Sequence, residues 1–191
     1  PETAKWYMNG LELLSRHCMI VSMKVQADHW PNVYCGVAMF LLIPLYILNK
    51  KINLKEKIGK LLLMAFILVS FALNMLDFIW HGFNYPDSLP GRQSYLYIWL
   101  LLVMGYEVYL KLRYTKLWHV MVTTLVSYLV IACAWAFTDV VGMDWWTYVF
   151  SLVFVFAYAM IFIVICLWRI PRIREQIRTK KWKTLFQNRY L

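Results

Sequence analysis

Five apolar stretches, separated by short polar connections, dominate this chain. They cover residues 33–49, 61–80, 95–110, 118–137 and 145–168. A helix needs roughly 20 mostly apolar residues to cross the hydrocarbon core of a bilayer, and about 17 to 25 are tolerated. A backbone in lipid must satisfy its own polar groups, and stretches of this length do so as α-helices. The sequence therefore predicts an all-α polytopic transmembrane helix bundle of about five spans.

The composition supports a membrane protein and argues against a nucleic-acid partner. Of the 191 residues, 62% are hydrophobic, compared with roughly 45 to 50% in ordinary soluble domains. The net charge of +10 could suit nucleic-acid binding, but that function needs a basic face on a water-soluble fold. We interpret the charge as a signal of orientation in the membrane and expect no nucleic-acid partner.

The basic residues alternate between successive connections. Residues 49–60 carry five Lys, residues 111–119 carry three Lys or Arg, and residues 169–191 carry eight, which together make 16 of the 20 basic residues. Cytoplasmic loops are enriched in Lys and Arg. We therefore predict a multi-pass protein of the bacterial plasma membrane, with its N-terminus outside and its C-terminus cytoplasmic.

Two flanking segments complete this domain plan around a membrane domain at 33–168. Residues 1–32 are predicted to form an extracellular amphipathic segment, and residues 169–191 a basic cytoplasmic segment suited to the anionic inner leaflet. The first segment could lie on the outer membrane surface or pack on another part of the parent protein. Its apolar positions recur every three or four residues, as on one face of a helix: Tyr7, Leu11, Leu14, Cys18, Val21 and Val25.

The chain begins with proline, and no basic, apolar and small-residue signal segment comes after it. We expect it to be an internal piece of a longer protein, whose remaining segments would be its first partners.

A polar face marks the end of the second apolar stretch. Asn74, Asp77 and His81 stand at i, i+3 and i+7, so a helix that continues to residue 81 places them on one side. An ionisable residue in a span is costly and suggests function. His81 could transfer a proton or donate a hydrogen bond. It could equally well cap the end of the helix.

A loop rich in proline and glycine connects this stretch to the next, and it leads to a single arginine. Arg92 is suited to binding phosphate, because its planar fork makes two charge-assisted hydrogen bonds. It could instead bind lipid phosphates or pair with Asp77 or Asp87. The residues that give this loop a defined shape are Gly82, Pro86, Pro90 and Gly91.

The rest of the chain carries little recognisable chemistry. Glu107 precedes Lys111 by four residues, a spacing that favours an ion pair on one helix. Asp139 lies in the last outer connection, which has no basic residue. The sequence contains no glycine-rich phosphate loop, no His-x-x-x-His pair and no nucleophile elbow. We therefore expect no cofactor and no metal site.

Two longer segments resemble the YfhO family of bacterial polytopic membrane proteins. They are WPNVYCGVAMFLLIPLYILNKKINLKEKIGKLLL at 30–63 and FALNMLDFIWHGFNYPDSLPGRQSYLYIWLLL at 71–102. The matching features are Pro-Asn-x-Tyr-x-Gly before a span, the basic loop Ile-x-Leu-Lys-Glu-Lys, and Trp-His-Gly-Phe followed by two prolines, Arg and Ser-aromatic. The resemblance covers roughly residues 30–110.

The resemblance implies a function. Members of the family look like C-type glycosyltransferases, which would transfer a sugar from a polyprenyl-phosphate donor to a cell-wall polymer such as lipoteichoic acid at the outer face. The implied partners are membrane lipid, the polyprenyl-phosphate-linked sugar and the polymer acceptor. The implied site has Asp77 and His81 as catalytic residues, Arg92 as the phosphate-binding residue, and Trp80, Asn84 and Gln93 as substrate-binding residues.

Two departures from the family pattern affect this expectation. The acidic residue that would serve as the base is expected in an early outer loop that precedes Pro1, so this piece would lack its base and its activity as an enzyme is uncertain. Gly91 stands where an aromatic residue is expected. The alternative interpretations are a transporter or lipid flippase component, and a non-catalytic membrane scaffold.

Overall fold

A computed structural model describes residues 3–21, 31–84, 91–138, 140 and 143–168. Within these ranges the chain forms seven α-helices and one short 3-10 helix at Leu112–Tyr114, with no β-strand, which confirms the all-α prediction. The helices are α1 Gly10–Ser15, α2 Met39–Leu48, α3 Leu54–Ala72, α4 Asn74–Trp80, α5 Ser94–Leu110, α6 Leu117–Phe137 and α7 Trp145–Trp168.

Several predicted features fall outside the described residues. These are the basic tail 169–191, Val25, Pro86, Asp87, Pro90 and Asp139.

The last two helices form a hairpin of long apolar elements. Both α6 and α7 are long and apolar enough to cross a membrane, whereas α2 and α5 are shorter apolar helices. The hairpin is joined by side chains along its length. The rings of Trp135 and Tyr148 stack with centroids 6.0 Å apart, and the Tyr128 hydroxyl donates to the carbonyl of Leu152 at 3.1 Å.

Helix α2 lies between this hairpin and α5. Helix α2 begins at Met39, although the apolar stretch starts at residue 33. The chain is not helical before this point, because Gly36 has a φ of +109°. The Ser127 hydroxyl of α6 donates to the α2 carbonyl of Phe40 at 2.7 Å. On the other side, a Cβ added to Gly105 of α5 would meet the Met39 sulfur at 3.2 Å. Small residues permit such close packing between apolar helices.

Polar contacts join three helices at the end of the bundle that carries residues 49–53 and 111–116, which we call the basic end. The Lys57 ammonium of α3 donates to the carbonyls of Ile47 and Asn49 at 2.8 and 2.9 Å, and so caps the end of α2. Lys60 of α3 forms an ion pair with Glu107 of α5. The structure thus pairs Glu107 with Lys60 and not with Lys111, because α3 packs beside α5.

The second predicted span, 61–80, is not one continuous helix. Helix α3 ends at Ala72, and Leu73 has extended dihedral angles of −106° and 118°. Residues 3–7 lie along this break as a short extended segment. The Tyr7 amide donates to the carbonyl of Ala72 at 2.8 Å, and the Asn74 amide donates to the carbonyl of Lys5 at 3.1 Å.

The Asn74 side chain holds the same extended segment. Its Oδ1 accepts from the Lys5 amide at 2.8 Å, and its Nδ2 donates to the carbonyl of Thr3 at 3.2 Å. Only 1% of Asn74 is exposed. A buried backbone group without a partner is costly, so Asn74 replaces hydrogen bonds that a continuous helix would have made.

The N-terminal segment then enters the bundle. A capping box opens α1, in which the Glu12 amide donates to Asn9 Oδ1 at 2.9 Å and the Asn9 amide donates to Glu12 Oε2 at 2.7 Å. Helix α1 packs against α6, and the Met19 amide donates to Ser151 Oγ of α7 at 2.9 Å. The described part of the predicted amphipathic segment therefore packs on helices of this chain, and its helix is short.

Asn74→Ala should lower the free energy of unfolding by about 2 kcal/mol, because the Lys5 amide and the Thr3 carbonyl lose their partner in a part-buried site. The midpoint of unfolding in mixed micelles, as the fraction of dodecyl sulfate rises, measures the change. Asn84→Ala is the control, since Asn84 is exposed. Equal midpoints for the two variants would contradict a structural role for Asn74.

Candidate functional site

The end of the bundle where α4 ends and α5 begins, which we call the outer end after the predicted topology, contains buried ionisable groups. Asp77 and His81 lie one helical turn apart on α4, and His81 Nδ1 lies 3.3 Å from Asp77 Oδ1. The same nitrogen lies 2.8 Å from the Asp77 carbonyl oxygen. Both side chains are only 3% exposed. The structure thus brings together the two predicted catalytic residues.

The hydrogen bond to the Asp77 carbonyl defines which nitrogen of His81 is available. A carbonyl oxygen only accepts, so Nδ1 carries a proton. In the neutral imidazole Nε2 is then an acceptor. Within the described part of the chain, Nε2 is buried and has no hydrogen-bond partner. This nitrogen can accept from a hydroxyl group or, in a protonated ring, donate to an anion.

The other predicted site residues divide into exposed and buried groups. Trp80, Asn84 and Arg92 are exposed. Gln93 is 3% exposed, and neither its Oε1 nor its Nε2 has a hydrogen-bond partner among the described residues. Arg92 also makes no ion pair within those residues. Of these four predicted residues, only Gln93 is buried.

A buried pair that the sequence analysis missed joins the N-terminal segment to α5. His17 Nδ1 lies 3.2 Å from the Leu14 carbonyl, and His17 Nε2 lies 2.9 Å from the Tyr97 hydroxyl. With Nδ1 donating to the carbonyl, the neutral ring accepts from Tyr97. His17 follows Leu14 by three residues and therefore borders the predicted apolar stripe, which was the one available signal.

Arg16 and Gly91 both contact Pro31. Arg16 is 4% exposed, and its Nε donates to the Pro31 carbonyl at 3.3 Å. A Cβ added to Gly91 would lie 2.9 Å from the Pro31 Cβ, and Gly91 has a φ of +67°. Both facts explain why glycine suits position 91: the backbone is left-handed and Pro31 fills the space.

Two apolar depressions lie beside these polar groups. A cavity of about 160 Å³ is bordered by His17, Tyr97 and Ser127, and its remaining lining is apolar, with Ile43, Leu101 and Val130 among it. A larger groove of about 650 Å³ separates residues 6–14 from α3. Leu14 and Leu68 border both.

The site offers few ligands for a metal ion. Asp77 and His81 could supply two, but no group of three or more His, Cys, Asp or Glu side chains suited to a metal is found in the part of the chain that the structure describes.

Among the described residues, the structure is an all-helical bundle in which two helices are long and apolar enough to cross a bilayer, as in a membrane protein. The family model described as bacterial membrane protein YfhO matches residues 3–183, and the chain belongs to the YfhO family. The match extends well beyond the resemblance at 30–110. No curated protein and no solved structure matches the chain.

Gly91→Ala should destabilise the outer end more than Gly82→Ala. Both glycines have a φ of +67°, so both variants carry the left-handed backbone cost of about 1–2 kcal/mol. Only at position 91 would the new methyl meet Pro31, which adds about 1–3 kcal/mol of overpacking. Unfolding midpoints in mixed micelles compare the two, and equal values would argue against the contact between Gly91 and Pro31.

Protonation of His17 should destabilise the fold. Burial lowers the pKa of His17 from 6.5 to about 4, against a smaller opposite effect of the carbonyls of Leu14 and Leu13. As the pH falls, His17 therefore takes up its proton at a higher pH in the unfolded chain than in the folded chain. The contribution of neutral His17 to the free energy of unfolding is fully present above about pH 6.5. It is lost as the pH falls towards 4, by about 3 kcal/mol in total.

His17→Gln tests this, because glutamine does not titrate and can still accept from Tyr97. Melting temperatures in maltoside micelles, measured between about pH 8 and 4, should fall more steeply for the wild type than for the variant. Parallel pH profiles would contradict the assignment of a buried neutral His17.

Proposed function

We propose that this chain is part of a membrane glycosyltransferase that works at the outer face of the bacterial plasma membrane. It would transfer a sugar from a polyprenyl-phosphate donor to a cell-wall polymer such as lipoteichoic acid. Membership of the YfhO family supports the membrane setting. The proposal includes the multi-pass topology, with the basic end in the cytoplasm.

The observation that carries the proposal is the Asp77–His81 pair. Both side chains are buried at the outer end of a broken apolar helix, and His81 Nε2 is unmatched within the described residues. Burying such groups without function is costly. Asp77 orients the imidazole of His81 through the carbonyl and carboxylate oxygens of Asp77. Asp77 would thus act as a positioning residue for a histidine that acts on a substrate.

The reaction needs a proton acceptor and a stabilised leaving group. The acceptor hydroxyl oxygen attacks the anomeric carbon, the bond between that carbon and the phosphate oxygen breaks, and the electron pair leaves with the lipid phosphate. In the neutral ring, His81 Nε2 accepts from the acceptor hydroxyl and orients it. Transfer of that hydroxyl proton requires a base, which we place outside this chain.

Arg92 would stabilise the departing phosphate. Its exposure at the outer end leaves the guanidinium free to reach a lipid-linked phosphate, with which it can form two hydrogen bonds. Trp80 and Asn84, also exposed there, would contact the sugar or the acceptor. Gln93 follows Arg92 directly but is buried, so it would stabilise the site from its buried side.

The break at Leu73 favours a second candidate function, since transporters bind their substrates at discontinuous helices. A lipid flippase component would use such a break as part of its pathway. Here, however, residues 3–7 take up the backbone groups of Ala72 and Asn74, which are then unavailable to a substrate. The break supports transport less well than the buried pair supports transfer.

In a deletion strain, the complete protein with His81→Ala should restore less than about one tenth of the sugar on the wall polymer, because removing an acid–base or orienting group costs about 100-fold or more in rate. Asp77→Asn and Arg92→Gln should also lower it. The sugar content is measured by NMR of purified polymer at matched membrane levels.

Arg113→Gln is the control, since it removes an exposed arginine at the basic end. Full restoration by all three outer-end variants would contradict the proposal. Movement of a labelled lipid across proteoliposomes without sugar transfer would favour the flippase.

A further inference from the structure

Arg16 is the most deeply buried arginine among the described residues, and it forms no ion pair with a carboxylate within them. Its guanidinium carries five N–H donors. Only Nε is matched with a protein acceptor in the described part of the chain, namely the carbonyl of Pro31. The residue is 4% exposed. A buried cation without an anionic partner is strongly unfavourable, so this site favours an anion.

Gln93 provides a second, independent sign of a missing ligand. The residue is 97% buried, and both its amide oxygen and its amide nitrogen lack partners among the described residues. Buried amides are nearly always hydrogen-bonded in native proteins. An oxyanion could accept from its Nε2, while a hydroxyl on the same ligand could donate to its Oε1.

The contacts of Pro31 and Tyr97 place these two residues on facing elements. Arg16 binds the carbonyl of Pro31, and Gly91 lies against the ring of the same proline. Gln93 follows Gly91 by two residues. Tyr97 lies one turn further along α5 than Gln93, and its hydroxyl lies 2.9 Å from His17 Nε2. This contact joins α5 to the same segment that carries Arg16. The segment after α1 and the start of α5 thus approach each other at two places, and each segment carries one of the two residues.

An apolar cavity adjoins the second of these places. His17 and Tyr97 border the cavity of about 160 Å³. His17 is next to Arg16 in the sequence, and Tyr97 lies one helical turn after Gln93. The cavity runs along α5 from Tyr97 to Leu101, about 6 Å at 1.5 Å per residue. Unmatched polar donors therefore adjoin a space suited to a hydrocarbon chain.

We propose that Arg16 and Gln93 form an oxyanion-binding site for the phosphate of a lipid phosphate monoester, whose first chain carbons occupy the adjoining cavity. The guanidinium supplies charge and paired donors, and the amide supplies one more hydrogen bond. Arg92 is exposed and is not one of these donors. The inference rests on the proposed function for its ligand class, because the proposed transfer releases a lipid phosphate monoester, but it is tested by binding alone.

Binding is tested with dodecyl phosphate on the complete purified protein in maltoside micelles, which carry no phosphate. Native mass spectrometry gives the apparent Kd at a fixed detergent concentration. Arg16→Gln should weaken binding about 100-fold, since charge-assisted hydrogen bonds to the phosphate are lost. Arg113→Gln, at the basic end, should bind like the wild type.

Gln93→Leu keeps the proposal testable if Arg16→Gln fails to fold. Replacing an amide that lacks a protein partner with an apolar side chain should leave the unfolding midpoint of the ligand-free protein unchanged or higher. The same variant should bind dodecyl phosphate about 10-fold more weakly, because a phosphate contact is lost. A purely structural role for Gln93 would lower the midpoint and leave the affinity unchanged.

Two further probes separate the parts of the ligand. Dodecanol has the chain without the phosphate, and inorganic phosphate has the anion without the chain, so each should bind at least about 10-fold more weakly than dodecyl phosphate. Val130→Phe, which fills the cavity, should weaken dodecyl phosphate only.

The proposal is overturned if Arg16→Gln folds and binds like the wild type, or if dodecanol binds as tightly as dodecyl phosphate. Equal affinity for inorganic phosphate would exclude the lipid chain from the site. Loss of binding in Arg92→Gln but not in Arg16→Gln would assign the phosphate to the exposed arginine instead. Loss of sugar transfer with intact dodecyl phosphate binding would count against the proposed function alone.

Discussion

The pairing of backbone groups at the break between α3 and α4 is the constraint on which the outer half of the molecule depends. An apolar environment offers no water to a helix that is interrupted, so each freed N–H and C=O must find a protein partner. Residues 3–7 supply these partners, and Asn74 adds both atoms of its side chain amide. The extended segment therefore cannot move away from the helix without leaving polar groups unpaired.

The same pairing directs the path of the N-terminal segment through the bundle. Once residues 3–7 are held against Leu73, α1 and the residues after it enter the bundle beside α5, α6 and α7. His17 then meets Tyr97, and the Met19 amide meets Ser151. The polar groups at the outer end thus come from two distant parts of the sequence. The basic end is built in the same way, since Lys57 and Lys60 of α3 bind α2 and α5 while also contributing to the positive charge of that end.

Much of the architecture was predictable because it depends on local patterns. Long apolar stretches predict helices, and the approximate positions of α5, α6 and α7 follow from them. The shared face of Asp77 and His81 also follows from helical periodicity, since i and i+4 are neighbours on any helix. The break at Leu73 was not predictable in this way. Leu73 has no proline or glycine beside it, and it becomes extended because a segment 66 to 70 residues earlier in the chain binds there.

The sequence by itself determined that the chain is helical and apolar and that the Asp77–His81 pair lies near one helix end, because composition and periodicity act over a few turns. Tertiary structure decided which polar residues are buried together. Arg16 and His17 fall in the predicted amphipathic segment and received no functional prediction, whereas Arg92 was predicted to bind phosphate. In the structure Arg16 is buried and Arg92 is exposed. Burial depends on which elements pack around a residue, and such contacts span up to 132 positions of the chain.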